Sequence, residues 1–254
     1  VTLLACRPLV LQLLVVAAFL ASSASSGAQS LGSLVDAAKQ AEDGNGLFGS
    51  IEIRSDSLKG LQQWQRVVGA MQIAGPSFNA CAQSASNCNS AMLKRWREIV
   101  VAAQSLPHDQ RLKSINASFN VWPYKLDMEI YGVREYWATP KEFIIRSGDC
   151  EDYSIAKYYA LRNLGFSEEI LRVVALKDTI RNMGHAVMVA YVDNEILVLD
   201  NNSELVLPDT KYRHYVPQVS MNETTRWAHV GKKASAAVVQ PSRSKGLSAG
   251  NLFR

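Results

Sequence analysis

Cys150 stands in the run Ser147-Gly148-Asp149-Cys150-Glu151-Asp152-Tyr153, and His185 and Asp200 follow it in that order. A thiolate can attack a carbonyl carbon, an imidazole can take and return the proton, and a carboxylate can hold that imidazole in one tautomer. These three types in this order are the layout of a thiol hydrolase. The sequence therefore reads as an enzyme, with Cys150 as candidate nucleophile, His185 as base and Asp200 as orienting acid. Tyr153, Ala156, Lys157, Ala160, Leu161 and Leu164 recur at helical spacing. That places Cys150 at a helix N-terminus, where the peptide dipoles favour a negative sulfur.

Asp149, Glu151 and Asp152 crowd the same thiol with three carboxylates, which oppose a further negative charge. Two readings are open. Acids in the first turn complement the helix dipole without any ligand. Alternatively they hold a divalent cation, and oxygen ligands at such close spacing suit calcium better than zinc.

The elements that must bring His185 and Asp200 together are apolar runs of strand length at 170–176, 186–192 and 195–199. If Asp193-Asn194 makes a two-residue turn, Asp200 lies opposite Val187 and Asn202 opposite His185. Positions 185 and 187 share a face, so Asp200 falls diagonal to His185 on that face, within side-chain reach. A three-residue loop would send Asp200 to the other face. Asn202 is the substitute orienter. The plain alternative for His185 is a satisfied core histidine, and His108, His214 and His229 stand in less patterned surroundings.

Helical spacing also marks 58–73, through Leu61, Trp64, Val68 and Met71, and 88–105, through Leu93, Trp96, Val100 and Ala103. The stretch 116–139, dense in Asn and aromatic residues, is expected to be a long ordered loop over the site. Pro140 can open a helix at its first turn, and Gly165 can end the one that carries Cys150. The fold class expected is α+β, with an N-terminal helical lobe packed on an antiparallel β-sheet and a cleft between the two.

Residues 1–28 hold Arg7, an apolar run from Leu9 to Leu20 broken by Gln12, and small residues ending Ser26-Gly27-Ala28. This is the pattern of a cleaved secretory signal, since the run is too short to span a bilayer unaided; a retained anchor is the alternative. Residues 231–254 carry Lys232, Lys233, Arg243, Lys245 and Arg254 and no acid, and read as a disordered basic tail. Setting both ends aside turns the formal net charge of +4 into a slight excess of acids over the remaining domain, 29–230. That implies no basic face for nucleic acid. No glycine-rich phosphate loop follows a strand, so no nucleotide is expected to bind directly. With Cys6 in the leader, Cys81 and Cys88 are close enough to close a small disulfide loop in an oxidising compartment, leaving Cys150 outside the pair; reduced packing cysteines are the alternative.

The segments Trp137-Ala138-Thr139-Pro140-Lys141-Glu142-Phe143, Gly148-Asp149-Cys150-Glu151-Asp152-Tyr153-Ser154-Ile155-Ala156-Lys157-Tyr158, Leu161-Arg162-Asn163-Leu164-Gly165 and Gly184-His185-Ala186-Val187 resemble the bacterial transglutaminase-like cysteine proteinases of the LapG type. The resemblance spans roughly residues 58 to 220. It implies a papain-like fold and a periplasmic, calcium-dependent endoprotease that releases a large surface adhesin by cutting near its N-terminus at a paired-alanine site, and so controls biofilm attachment. It also implies an inhibitory partner, the periplasmic domain of an inner-membrane cyclic-di-GMP receptor. By position, Cys150 matches the nucleophile, His185 the base and Asp200 the acid. Asp149 and Glu151 match the calcium-site acids, and Asp152 matches less closely. Ser147 and Ser154 depart from the Gly and Ala expected there. Two rivals stand beside this reading: a transglutaminase, in which an amine rather than water resolves the thioester, and a binding module that kept the fold without catalysis.

Overall fold

The computed structural model describes residues 46–231. The stretch expected to be a secretory leader and, apart from Gly231, the stretch expected to be a basic tail lie outside the described residues. The helices are α1 (Gln62–Gln83), α2 (Ala91–Gln104), α3 (His108–Asn120), α4 (Asp127–Ile130), α5 (Pro140–Arg146) and α6 (Cys150–Asn163). The strands are β1 (Ile51–Ser55), β2 (Leu171–Asp178), β3 (Met183–Val192), β4 (Glu195–Leu199), β5 (Leu207–Pro208), β6 (Tyr215–Met221) and β7 (Arg226–Val230). They form one sheet in the order β1-β7-β6-β2-β3-β4-β5, with every neighbouring pair antiparallel. The protein is α+β, as its sequence predicts.

The central strands β2 and β3 are covered on both faces, which is why they read as unbroken apolar runs rather than alternations. Val173, Ala175, Met188 and Ala190 face the helical lobe, where Trp64, Trp96, Phe119 and Ile155 are wholly buried. Val174, Leu176, Val187, Val189 and Val198 face the other way, onto Leu47, Tyr212 and Tyr215. The helix α6 is buried at every position from Cys150 to Leu161, so it is the central column of the lobe rather than a surface helix. Gly165 follows it at φ +90°, a conformation that suits glycine at a helix end. At its other side, α5 begins on Pro140 behind a Thr139 cap, with Glu142 completing a capping box. No described helix is long and apolar enough to cross a membrane.

Two expectations need correction. Helix α1 runs to Gln83, ten residues past the expected end, because Gly75 and Pro76 are tolerated within a helix anchored by Phe78 and Cys81 in the core. The expected loop over 116–139 begins only after Asn120, since 108–120 is helical; Leu112, Ile115 and Phe119 bury one face of α3 and override the weak helix propensity of its Asn and Ser residues. Between α1 and α2, Cys81 and Cys88 are joined by a disulfide, as their spacing suggested.

Candidate functional site

The strands β3 and β4 are joined at Asp193 and Asn194, with φ +52° and +62°, the two left-handed residues of a two-residue hairpin turn. The register that follows pairs Val192 with Glu195 and Met188 with Leu199, the one a two-residue turn demands. It carries Asp200 to the face of His185, and His185 Nε2 lies 3.0 Å from Asp200 Oδ1. The backbone N–H of Asn202 donates to the same oxygen at 2.9 Å, and the Tyr215 hydroxyl donates to Asp200 Oδ2 at 2.6 Å. Burial of Asp200 disfavours its charge, but the bond and charge of His185, with Tyr215 and Asn202, outweigh it and hold the carboxyl well below the usual range. The Asn202 amide also lies 3.1 Å from His185 Nε2, the position foreseen for a substitute orienter.

Beyond Asp200 the chain turns at Ser203, and α3 grips that turn. Asn120 Nδ2 donates to the carbonyls of Asp200 and Ser203, each at 2.9 Å, and Asn116 Nδ2 donates to Ser203 at 2.7 Å. Sequence reasoning missed these two asparagines as supports because it placed them in or beside a loop.

Cys150 is the first residue of α6 and is 3% exposed. The approach to it is tightly determined. Ser147 sits at φ +68°, ψ −165°, a region all but restricted to glycine. Gly148 forms an isolated parallel bridge with Tyr124, and its carbonyl accepts from Lys125 at 2.9 Å. A Cβ on Gly148 would lie 2.6 Å from both Cβ and Cγ of Asp152, so no larger residue fits while Asp152 holds its place. Asp152 Oδ2 accepts from the backbone of Asp149 at 3.2 Å and Oδ1 from that of Ala138 at 2.5 Å. The Tyr124 hydroxyl accepts from the Cys150 backbone N–H, and Cys150 Sγ lies 3.2 Å from Glu151 Oε2.

The acids divide into two overlapping groups. Ligand atoms of Asp149, Cys150 and Glu151 lie within 4.8 Å of one another, and so do those of Asp127, Asp149 and Asp152. Asp127 was not foreseen; it starts the short helix α4, far from the motif in sequence, and no spacing in the chain marks it. All four carboxyls are pushed up, first by burial: Asp149 upward by burial alone, against a hydrogen bond with Glu151 that lowers it, while the charge of Asp149 adds to the rise of Asp127 to about 7 and of Glu151 and Asp152 well above their ordinary value. Oδ1 of Asp127 and Oδ1 of Asp149 are buried without a hydrogen-bond partner. Orphaned carboxylate oxygens converging in a dry site fit a hard cation with oxygen ligands, and calcium accepts that donor set. The dipole reading of these acids accounts for Glu151 and Asp152 in the first turn of α6, but not for the buried, unpartnered oxygens of Asp127 and Asp149.

The remaining histidines are held in structural surroundings. His229 lies between Ser50 Oγ at 2.7 Å and Ser220 Oγ at 2.8 Å, and burial lowers its pKa to about 4. His108 stacks on Phe166.

LapG of Legionella pneumophila is similar in structure, with 27% sequence identity and a TM-score of 0.51 over 61% of this chain and 87% of that one. Its calcium-bound form matches at 27% identity and the same TM-score over 68% and 93%. The EGTA-treated form matches at 26% over 61% and 86%. Curated protein sequences gave no match. The model of the bacterial transglutaminase-like cysteine proteinases matches residues 74–235, more than half of the chain and the whole of the site just described. On that match and this architecture, the chain belongs to the bacterial transglutaminase-like cysteine proteinases.

Proposed function

We propose that this protein is a periplasmic, calcium-dependent cysteine endoprotease that cuts the N-terminal region of a large cell-surface adhesin and so governs biofilm attachment. The observation that carries the catalytic part is the His185–Asp200 pair, fixed at 3.0 Å by the hairpin register, on a protein whose Cys150 opens a buried helix. Asp200 engages Nε2, which leaves Nδ1 as the ring nitrogen to exchange a proton with the thiol. Cys150 attacks the scissile carbonyl and His185 protonates the leaving amine. Water then resolves the thioester with His185 as base.

Asp149, Glu151, Asp152 and Asp127 are the residues that would hold calcium, which when bound supplies the positive charge that these buried acids lack. The calcium-bound and EGTA-treated forms of Legionella pneumophila LapG support this assignment. The inhibitory partner in this reading is the periplasmic domain of an inner-membrane cyclic-di-GMP receptor; the protease itself binds neither the nucleotide nor nucleic acid.

The test is incubation of an adhesin N-terminal fragment bearing a paired-alanine site with the purified protein, in calcium and in EGTA, beside Cys150→Ala. Cleavage that needs both calcium and Cys150 is the expected result. Crosslinked product in place of fragments would assign acyl transfer to an amine, and an intact fragment with well-folded wild-type protein would overturn the substrate.

A further inference from the structure

We infer that Lys157 is a positioning residue for the His185–Asp200 pair, acting through Asn116 to hold the turn that carries Asp200. The inference rests on the reading of Cys150, His185 and Asp200 as the catalytic machinery. Lys157 lies seven residues after Cys150 on α6, two turns along and on the same helix face. It is wholly buried. An ammonium is one of the most costly groups to bury, and a methionine would fill the same length of space without that penalty.

What the ammonium touches explains its presence. Lys157 Nζ donates to Asn116 Oδ1 at 2.8 Å, and Asn116, itself wholly buried, donates from Nδ2 to the Ser203 carbonyl at 2.7 Å. An ammonium has only donors, so it requires the oxygen of the amide. With the oxygen so engaged, the NH2 group must face Ser203. The lysine thereby fixes the orientation of an amide that could otherwise rotate and set two acceptors against each other. One turn further along α3, Asn120 donates to the carbonyls of both Asp200 and Ser203. The nucleophile's helix and the acid's turn are thus tied through α3 by three buried or half-buried side chains. Burial lowers the pKa of Lys157 to about 7, and the charge of the Asp200 carboxylate opposes that shift.

The experiment uses the full chain with the Cys81–Cys88 disulfide intact and calcium present, and compares wild type with Lys157→Met and with the isosteric Asn116→Asp, which keeps an oxygen for the ammonium but removes the donor to Ser203. The first readout needs no substrate: the downfield proton resonance of the His185 Nε2–H bonded to Asp200. It is expected in wild type, and broadened or lost in both variants while circular dichroism stays native. The second is cleavage of the adhesin fragment, where kcat is expected to fall at least about tenfold with KM changed less than about threefold, the pattern of lost alignment rather than lost binding. A folded Lys157→Met with the wild-type resonance and kcat within about twofold would overturn the inference. If Lys157→Met does not fold, Asn116→Asp with an unchanged resonance does the same. Wild-type protein that shows the resonance, loses it in the variants and yet cuts no adhesin would overturn the substrate reading and leave Lys157 in its role.

Discussion

His185 Nε2 and Asp200 Oδ1 stand 3.0 Å apart because the fourteen residues between them are a hairpin with two residues in its turn. Each residue added to that turn moves every later side chain to the opposite face. Insertion of one glycine between Asp193 and Asn194 is therefore expected to abolish cleavage, a loss of at least about a thousandfold if Asp200 orients His185 as in other triads. Thermal unfolding should show that the domain still folds. Activity within about tenfold of wild type would mean that Asp200 is not the orienting acid.

The other carboxylate oxygen of Asp200 is held by Tyr215 at 2.6 Å. Tyr215→Phe keeps the ring and its stacking on Tyr212 while removing that donor. The expected outcome is a fall in kcat of about tenfold at constant KM, in line with about 1.4 kcal/mol for one hydrogen bond to a charged group. Steady-state kinetics on the adhesin fragment measure it.

Without metal, the acid cluster makes stability depend on pH in a defined direction. Asp127 titrates near 7 in the folded protein and near 4 unfolded, and Asp149, Glu151 and Asp152 are shifted the same way. The folded state then holds protons that the unfolded state has released. Stability is full below the unfolded values and lost as pH rises through the folded ones. Melting of EGTA-treated protein should accordingly fall in temperature from pH 5 to pH 8, and the gap to the calcium-loaded protein should widen over the same range. A gap independent of pH would exclude these acids as the metal site.

Asp127→Asn tests the residue that the sequence did not mark. With Asp149 and Glu151 intact, calcium affinity measured by titration calorimetry is expected to weaken about 10- to 100-fold, the usual scale for loss of one metal-site group. An unchanged affinity would return Asp127 to a purely structural role, in which its Oδ2 accepts from the Tyr136 backbone.

Ser147 occupies a backbone conformation that costs a non-glycine residue of order 1 kcal/mol or more. Ser147→Gly should raise the melting temperature by about 2–4 °C, as expected for about 1 kcal/mol in a domain of this size. Differential scanning calorimetry reads it directly.

The motif and its hairpin were legible because both are local. A turn of two residues sets the register, and the helix that starts at Cys150 announces itself by spacing. The sheet was half legible: β2, β3 and β4 are strongly apolar, whereas β1, β6 and β7 carry Glu52, Arg54, Gln218 and Arg226 and depend on pairing for their identity. Asp127, Asn116 and Asn120 were illegible as site residues because their partners lie far along the chain, Asp149 for the first and the Asp200–Ser203 turn for the others. Nothing in a short window of sequence records such a meeting.

The pairing of β1 with β7 sets Ile51 opposite Val230, and Ser50 bonds His229 across a separation of 179 residues. The first strand of the domain to leave the ribosome or a translocation pore therefore waits for the last before its hydrogen bonds can close. Assembly of the sheet cannot finish before β7 has emerged: such long-range closure is slow, and an active centre set in that sheet comes into being only when the whole domain has been delivered.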